Sequence, residues 1–383
     1  MMFELLEPLN KEFLNYIDGL SSQTMGKKVT FFSGGEFEDF SKYQLAVIGV
    51  TDNRGLNNGN EKIDLLKIRK AFYSLFPGNW GLQIIDLGNI LNGDRLEDTY
   101  YLLKNIVSEL IRNDVIPIVL GGSQDMTYGI YRAYDRLDQM VNLVVVDQKL
   151  DLVKEGGVPA ESFLSRIIME EPNNLFNFSN MGYQTYFNSQ EEIDLIDSLY
   201  FEAYRVGEIA NNIKLAEPVL RDADVVSMDV NVIKSGDSGN LEFFNPNGFN
   251  GREICALSRY AGLSDRVSSF GIFNYNNSQT EALLIAQILW YFVEGVNFRS
   301  GEYPFVDKES YFKYIVPIEG YEDLIFYKSD LTERWWIEVP FGLNVNEKLI
   351  KKIMLPCAYE DYEMAISQQL PDRWWRTFKK NLM

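Results

Sequence analysis

Histidine is absent from all 383 residues of this chain. Imidazole is the commonest metal ligand and the usual acid/base at neutral pH, so its absence excludes a Ser-His-Asp triad, a histidine-built zinc site and any imidazole proton relay. Cysteine is nearly as scarce: Cys255 and Cys357 are the only two, far apart and without a CxxC spacing. They read as buried free thiols in a reducing compartment. Basic side chains are outnumbered, with 36 Lys and Arg against 55 Asp and Glu and a net charge of −19. That balance repels phosphate backbones and anionic lipid, which argues against nucleic-acid and membrane-surface partners. No apolar run reaches membrane-spanning length, and the stretch from Met1 to Pro8 lacks the basic and apolar regions of a signal peptide. A cytoplasmic, soluble chain is expected. A P-loop, a dinucleotide fingerprint, internal repeats and low-complexity linkers are also missing.

What is present is a globular composition, 46% hydrophobic and 24% charged, with ample length for a large core. Between residues 45 and 297, short apolar runs alternate with amphipathic stretches. The runs Leu45–Val50, Val115–Leu120, Leu143–Val146 and Val225–Met228 are continuous and rich in β-branched residues, as suits strands buried on both faces of a parallel sheet. Helices are expected over Leu96–Arg112 and Met126–Leu137, and capping-box spacing marks two helix starts, Ser189 with Glu192 and Ser278 with Glu281. The economical fold is a three-layer α/β/α domain with a mainly parallel, doubly wound sheet.

Beyond residue 300 the texture changes to that of a small α+β appendage. Antiparallel strands are expected at Tyr314–Ile318, Leu324–Lys328 and Trp335–Val339, with a final helix at Tyr359–Leu370. The division is an N-terminal segment 1–42 packed on the main domain, an α/β domain 43–297, and an aromatic-rich extension 298–383. Aromatic residues mostly fill cores, but Trp335, Trp336, Trp374 and Trp375 also offer a candidate interaction surface.

Three motifs stand at predicted carboxyl strand ends and should converge on one crevice. They are Gly121-Gly122-Ser123-Gln124-Asp125, Asp147-Gln148-Lys149-Leu150-Asp151 and Ser227-Met228-Asp229-Val230-Asn231. The Asn/Gly-rich segment from Asn53 to Asn60 should face the same crevice.

The order and spacing of these loops resemble the ureohydrolase family of arginase, agmatinase and formimidoylglutamase, nearest its formimidoylglutamase-like branch. Supporting matches are Val47 to Val50 with Arg69 downstream, Asn180 to Gln184, and Phe273 to Asn276 leading into the helix at Thr280, so the resemblance covers about residues 43–297. It implies the arginase-like fold, C–N bond hydrolysis and a homo-oligomer. It also implies six ligands for two manganese ions, from Gly-Gly-x-His, Asp-x-His-x-Asp and Ser-x-Asp-x-Asp.

Carried over position by position, the ligand set is degenerate. Gln124 and Lys149 stand where the two histidines belong, and Asn231 where the last aspartate belongs; Asp147, Asp151 and Asp229 remain. Asn274 falls where the family holds a substrate-side glutamate. Ureohydrolases attack an unreactive carbon with a hydroxide shared by two metals, and a cationic Lys with three donors and no acceptor cannot replace a ligand. Lys149 is therefore expected to act as a cation substitute beside the second-metal position, paired with Asp147 and Asp229. No catalytic residue is assigned. No cofactor is expected, although Gln124, Asp147, Asp151 and Asp229 could form one all-oxygen site for Mg²⁺, Ca²⁺ or Mn²⁺. The leading expectation is a non-hydrolytic binding or scaffolding module with a protein partner or self-association. The alternatives are a diverged hydrolase of linear amidines using one hard ion, and a sensor of a small cationic amine.

Overall fold

Leu45 and Val47 turn to one apolar layer and Ala46, Ile48 and Val50 to another, and all five are buried. One strand therefore serves two cores, which is why its run is unbroken rather than alternating. The structure, a computed structural model, describes residues 5–35, 39–56, 63–137, 139–152, 157–241, 243–303, 311–341 and 351–382. The end of the expected Asn53–Asn60 loop lies outside the described residues.

Among the described residues the main sheet has ten strands. They are β1 (Leu6–Glu7), β2 (Val29–Phe31), β3 (Leu45–Val50), β4 (Ile84–Ile90), β5 (Ile116–Leu120), β6 (Val141–Val146), β7 (Leu175–Tyr183), β8 (Glu202–Arg205), β9 (Val225–Asp229) and β10 (Ser269–Phe273). Their order is β1-β4-β3-β5-β10-β9-β6-β7-β8, with β2 also on β4. Only β1 runs antiparallel, and β2 joins in parallel, so the N-terminal segment extends the sheet as well as packing on it. Helices Leu65–Tyr73, Gly251–Leu263 and Gln279–Asn297 cover one face, while Leu96–Arg112, Met126–Arg132 and Phe163–Met169 cover the other. This is the three-layer α/β/α arrangement expected from the alternation of apolar runs and amphipathic stretches.

Local signals place several boundaries. Ser189 and Glu192 close a reciprocal capping box. Ser278 caps its helix through Glu281 N, but the Glu281 carboxylate turns instead to Asn276 N at 2.8 Å. At the heart of the β4 edge, buried Arg69 donates to Asp86 through Nε and Nη2 at 2.8 and 3.1 Å, and to Gly88 O at 2.8 Å. Both cysteines are free and buried, and burial pushes the Cys255 thiol up to about 12. No helix among the described residues is long and apolar enough to cross a membrane.

The extension forms an antiparallel meander, β11 (Tyr311–Val316), β12 (Leu324–Ser329), β13 (Trp335–Phe341) and β14 (Lys351–Cys357). Two short helices follow, Tyr359–Ile366 and Asp372–Lys380, so β14 and the second helix add to the elements expected there. The four tryptophans proposed as a surface are mostly interior. Trp335, Trp336 and Trp374 are 7%, 1% and 4% exposed, and Trp375 is half-buried. Trp336 lies under the Arg221 guanidinium at 4.5 Å, and Arg221 also donates to Trp335 O and Cys357 O. The correction has a simple cause: packing a large ring inside the appendage removes more apolar area from water than any other residue type could.

Candidate functional site

Strands β5, β10, β9 and β6 are neighbours in that order, so the loops leaving their carboxyl ends must meet. They enclose a cavity of about 460 Å³. Gln124, Lys149, Asp151, Asp229, Asn231 and Asn274 all line it, so the structure brings together most of the side chains singled out in the sequence. Asp147 lies just behind, buried, with Oδ1 accepting from Lys149 N at 3.0 Å.

The first loop turns on Gly121 and Gly122, with φ of +80° and +76°. A β-carbon on Gly121 would lie 2.5 Å from Leu65 Cδ2 and 2.8 Å from Val50 O, so only glycine fits the turn that delivers Gln124. Asn274, after β10, then joins two loops. Its Oδ1 accepts from Gln124 N at 3.2 Å, its Nδ2 donates to Asp229 Oδ2 at 2.8 Å, and its φ of +62° is one that asparagine tolerates. Asn274 thus holds the first and third motifs together from the position proposed as substrate-side. Asp229 Oδ1 is engaged as well, by Asn231 N at 2.7 Å.

The second motif is braced from outside the crevice. Asn180 Nδ2 donates to Lys149 O at 2.8 Å, Asn188 Oδ1 accepts from Leu150 N at 2.7 Å, and Asn245 Nδ2 donates to Gln148 Oε1 at 2.9 Å. Lys149 departs from expectation. Its ammonium donates to Glu161 Oε1 at 2.7 Å, and no ion pair joins it to Asp147 or Asp229. The reason is solvation: the two side chains are 33% and 39% exposed, so the ammonium keeps water at the rim instead of being stripped of it among buried aspartates. Burial opposes its charge, but Glu161 and, more weakly, Asp151 and Asp147 raise its pKa. Glu161 belongs to no motif; it sits on the short turn Pro159–Glu161, which residue spacing gives no means of placing opposite Lys149.

Burial pushes the carboxyls of Asp147, Asp151 and Asp229 upward, the latter two well above the usual range because neighbouring carboxylates oppose their ionisation. Two buried groups lining the cavity lack hydrogen-bond partners: Gln124 Nε2 and Asp151 Oδ2.

This fold, with acidic loops gathered at the carboxyl ends of a doubly wound sheet, defines the ureohydrolase class of α/β protein. The chain belongs to the arginase family, which matches residues 48–293. It is 23% identical over 224 residues to the formimidoylglutamase of Lysinibacillus sphaericus (strain C3-41), covering 55% of this chain and 69% of that one. The formimidoylglutamase of Geobacillus sp. (strain WCH70) is 20% identical over 307 residues, covering 73% and 93%. Among solved structures, Trypanosoma cruzi formiminoglutamase with Mn²⁺ superposes with a TM-score of 0.60 at 17% identity, covering 69% of this chain and 97% of that one. The agmatine ureohydrolase of Thermoplasma volcanium gives 0.56 at 17% identity, covering 74% and 97%. These likenesses establish the fold, and both sequence relatives named above are formimidoylglutamases.

The donor set does not fit a pair of manganese ions. Lys149 offers no lone pair while protonated and is committed to Glu161, and both Asp229 oxygens already receive N–H donors. Among the described residues no group of three or more His, Cys, Asp or Glu is arranged to hold an ion.

Proposed function

We propose that this chain is a binding member of the arginase family that does not carry out dimanganese C–N hydrolysis. The observation supporting this most strongly is the replacement at one metal position: Lys149 stands where a neutral ligand is required, and its ammonium donates a hydrogen bond to Glu161 at 2.7 Å. The family's hydroxide is shared between two metals, and loss of one ion removes that bridging nucleophile. The crevice remains shaped, polar and open, which suits retention of binding after loss of chemistry.

Metal content of the purified chain, measured by mass spectrometry, tests the reading together with product-release assays. Formimidoylglutamate, agmatine and arginine are the substrates to supply, with added Mn²⁺. No stoichiometric manganese and no turnover are expected. Two bound ions per chain with rapid release of formamide or urea would overturn it. The alternative of a one-ion amidine hydrolase draws on the buried, unpartnered Asp151 Oδ2 and predicts slow turnover that requires a single Mg²⁺ or Mn²⁺.

A further inference from the structure

We infer that a pocket at the amino ends of β6, β7 and β8 is a binding site of its own, taking a small monocarboxylate with an apolar tail whose head rests on the Lys380 ammonium. It is independent of the binding reading above and lies at the opposite end of the sheet from the crevice. Met140 precedes β6, Leu175 and Phe176 open β7, and Phe201 precedes β8, whereas the motif loops leave the carboxyl ends. Lys380 closes the helix Asp372–Lys380, well beyond the family match, which ends at residue 293.

The walls decide the tail. Met140, Ile168, Leu175, Phe176, Leu199 and Phe201 line a cavity of about 290 Å³. Besides Lys380 the one polar residue in the lining is Asn173, and its side chain is tied to its own turn, donating to Ile168 O at 2.9 Å and accepting from Leu175 N at 3.0 Å. The space is at the small end of ligand sites. An apolar wall with one polar group placed in it is their usual composition.

Lys380 decides the head. Its Nζ lies 5.4 Å from the centre of the Phe176 ring and 5.8 Å from that of Phe201, and both rings line the cavity, so the charge is turned to this wall. The side chain is half-buried and still reachable. Among the described residues it forms no ion pair; Nζ donates to Asn177 Oδ1, a neutral acceptor. The carboxylates that attract it already have partners. Glu202 accepts from Arg373 Nε at 3.0 Å, Tyr204 OH at 2.7 Å and Asn177 Nδ2 at 2.9 Å, and Asp222 accepts from Arg266 Nη1 at 2.9 Å. Burial pushes the Lys380 ammonium down to about 8, against the pull of Glu202 and Asp222 and with Arg373 and Arg376 adding to the fall. An ammonium held by two rings and an amide lacks only a counter-ion. A carboxylate supplies it, and the walls require the rest of the ligand to be hydrocarbon.

The test is titration calorimetry of the full chain with octanoate as the probe. Octanoate should bind at one site per chain, at least about tenfold more tightly than octan-1-ol, octyltrimethylammonium or butyrate, which vary the head and the tail in turn. The net charge of −19 favours the cationic comparator over the rest of the surface, so a preference for the carboxylate isolates this pocket. Lys380→Met should weaken octanoate to the level of octan-1-ol. Met140→Glu, at a position in the lining that is 50% exposed, should weaken octanoate about tenfold through repulsion at the mouth. Thermal midpoints verify that both variants are folded, and the exposed Met140 position carries the test if Lys380→Met does not fold. Absence of octanoate binding, equal binding of any comparator, or undiminished octanoate binding by either folded variant overturns the inference.

Discussion

Lys149 and Glu161 form an ion pair at the rim of the crevice, Nζ to Oε1 at 2.7 Å, with each side chain about a third exposed. The pair ties the second motif loop to the Pro159–Glu161 turn across the cavity wall. A charge that stays in contact with water contributes little to stability. Lys149→Met is therefore expected to cost about 1 kcal/mol or less, measured as a small fall in the urea midpoint. A fall several times larger would show that the ammonium compensates the buried aspartates after all.

Restoring the family's ligands should restore its metal. The triple variant Gln124→His, Lys149→His, Asn231→Asp removes the ammonium and supplies the imidazoles and carboxylate that the motifs lack. Its Mn²⁺ affinity by calorimetry is expected to exceed that of the unmodified chain by at least about tenfold. Unchanged affinity would mean that the loops themselves have moved out of ligand geometry.

Arg69 is fully buried with Asp86, also fully buried, and Tyr73 OH adds a 2.6 Å bond to the same carboxylate. Arg69→Met leaves that carboxylate without its cation, and a loss of about 3–5 kcal/mol in unfolding free energy is expected. Arg69→Lys keeps the charge but not the two-pronged geometry, so it should fall between.

Gly121→Ala places a methyl group against Leu65 and the Val50 carbonyl, in a backbone conformation with φ of +80°. A stability loss of about 2 kcal/mol or more is expected, read as a lowered thermal midpoint. The same change should weaken binding at the crevice, because Gln124 follows from that turn.

Glu281 is fully buried at the first turn of the helix Gln279–Asn297, with Oε2 accepting from Asn276 N, and burial pushes its carboxyl up to about 7. Its folded pKa lies above the unfolded value, so the unfolded chain releases this proton first as pH rises. The contribution is fully present below about pH 4.5 and is lost as pH rises through 7, a change of about 3 kcal/mol. Glu281→Gln should remove that component, so the difference in stability between variant and parent should shift in the variant's favour from pH 4.5 to 8. A difference that stays flat over this range would place the carboxyl in contact with water.

Much of the fold is legible in residue order because burial on both faces demands unbroken apolar strands. Leu45–Val50 matches its strand, Leu96–Arg112 matches its helix, and the Ser189 capping box closes as spacing requires. The appendage is less legible. Its final strand Lys351–Cys357 carries two lysines and a proline, which blur the alternation, and Trp374 and Trp375 lie on a helix whose apolar face is visible only once the meander exists to cover it. The candidate site divides the same way. Gln124, Asp229, Asn231 and Asn274 reach one cavity because their strands are neighbours, yet Glu161, Asn180 and Asn245 enter from loops that no motif marks.

Residue identity alone determined that imidazole chemistry is impossible here and that three of the family's six ligand positions carry Gln, Lys and Asn, because donor chemistry belongs to the side chain wherever it lies. Tertiary structure decided where the charge on Lys149 goes. Desolvating an ammonium among buried carboxylates is costly, and Glu161, brought alongside by a separate turn, offers a partner with water still in reach. It also decided that Trp335, Trp336 and Trp374 fill the interior of the appendage, since only the packed fold determines which rings lose their water.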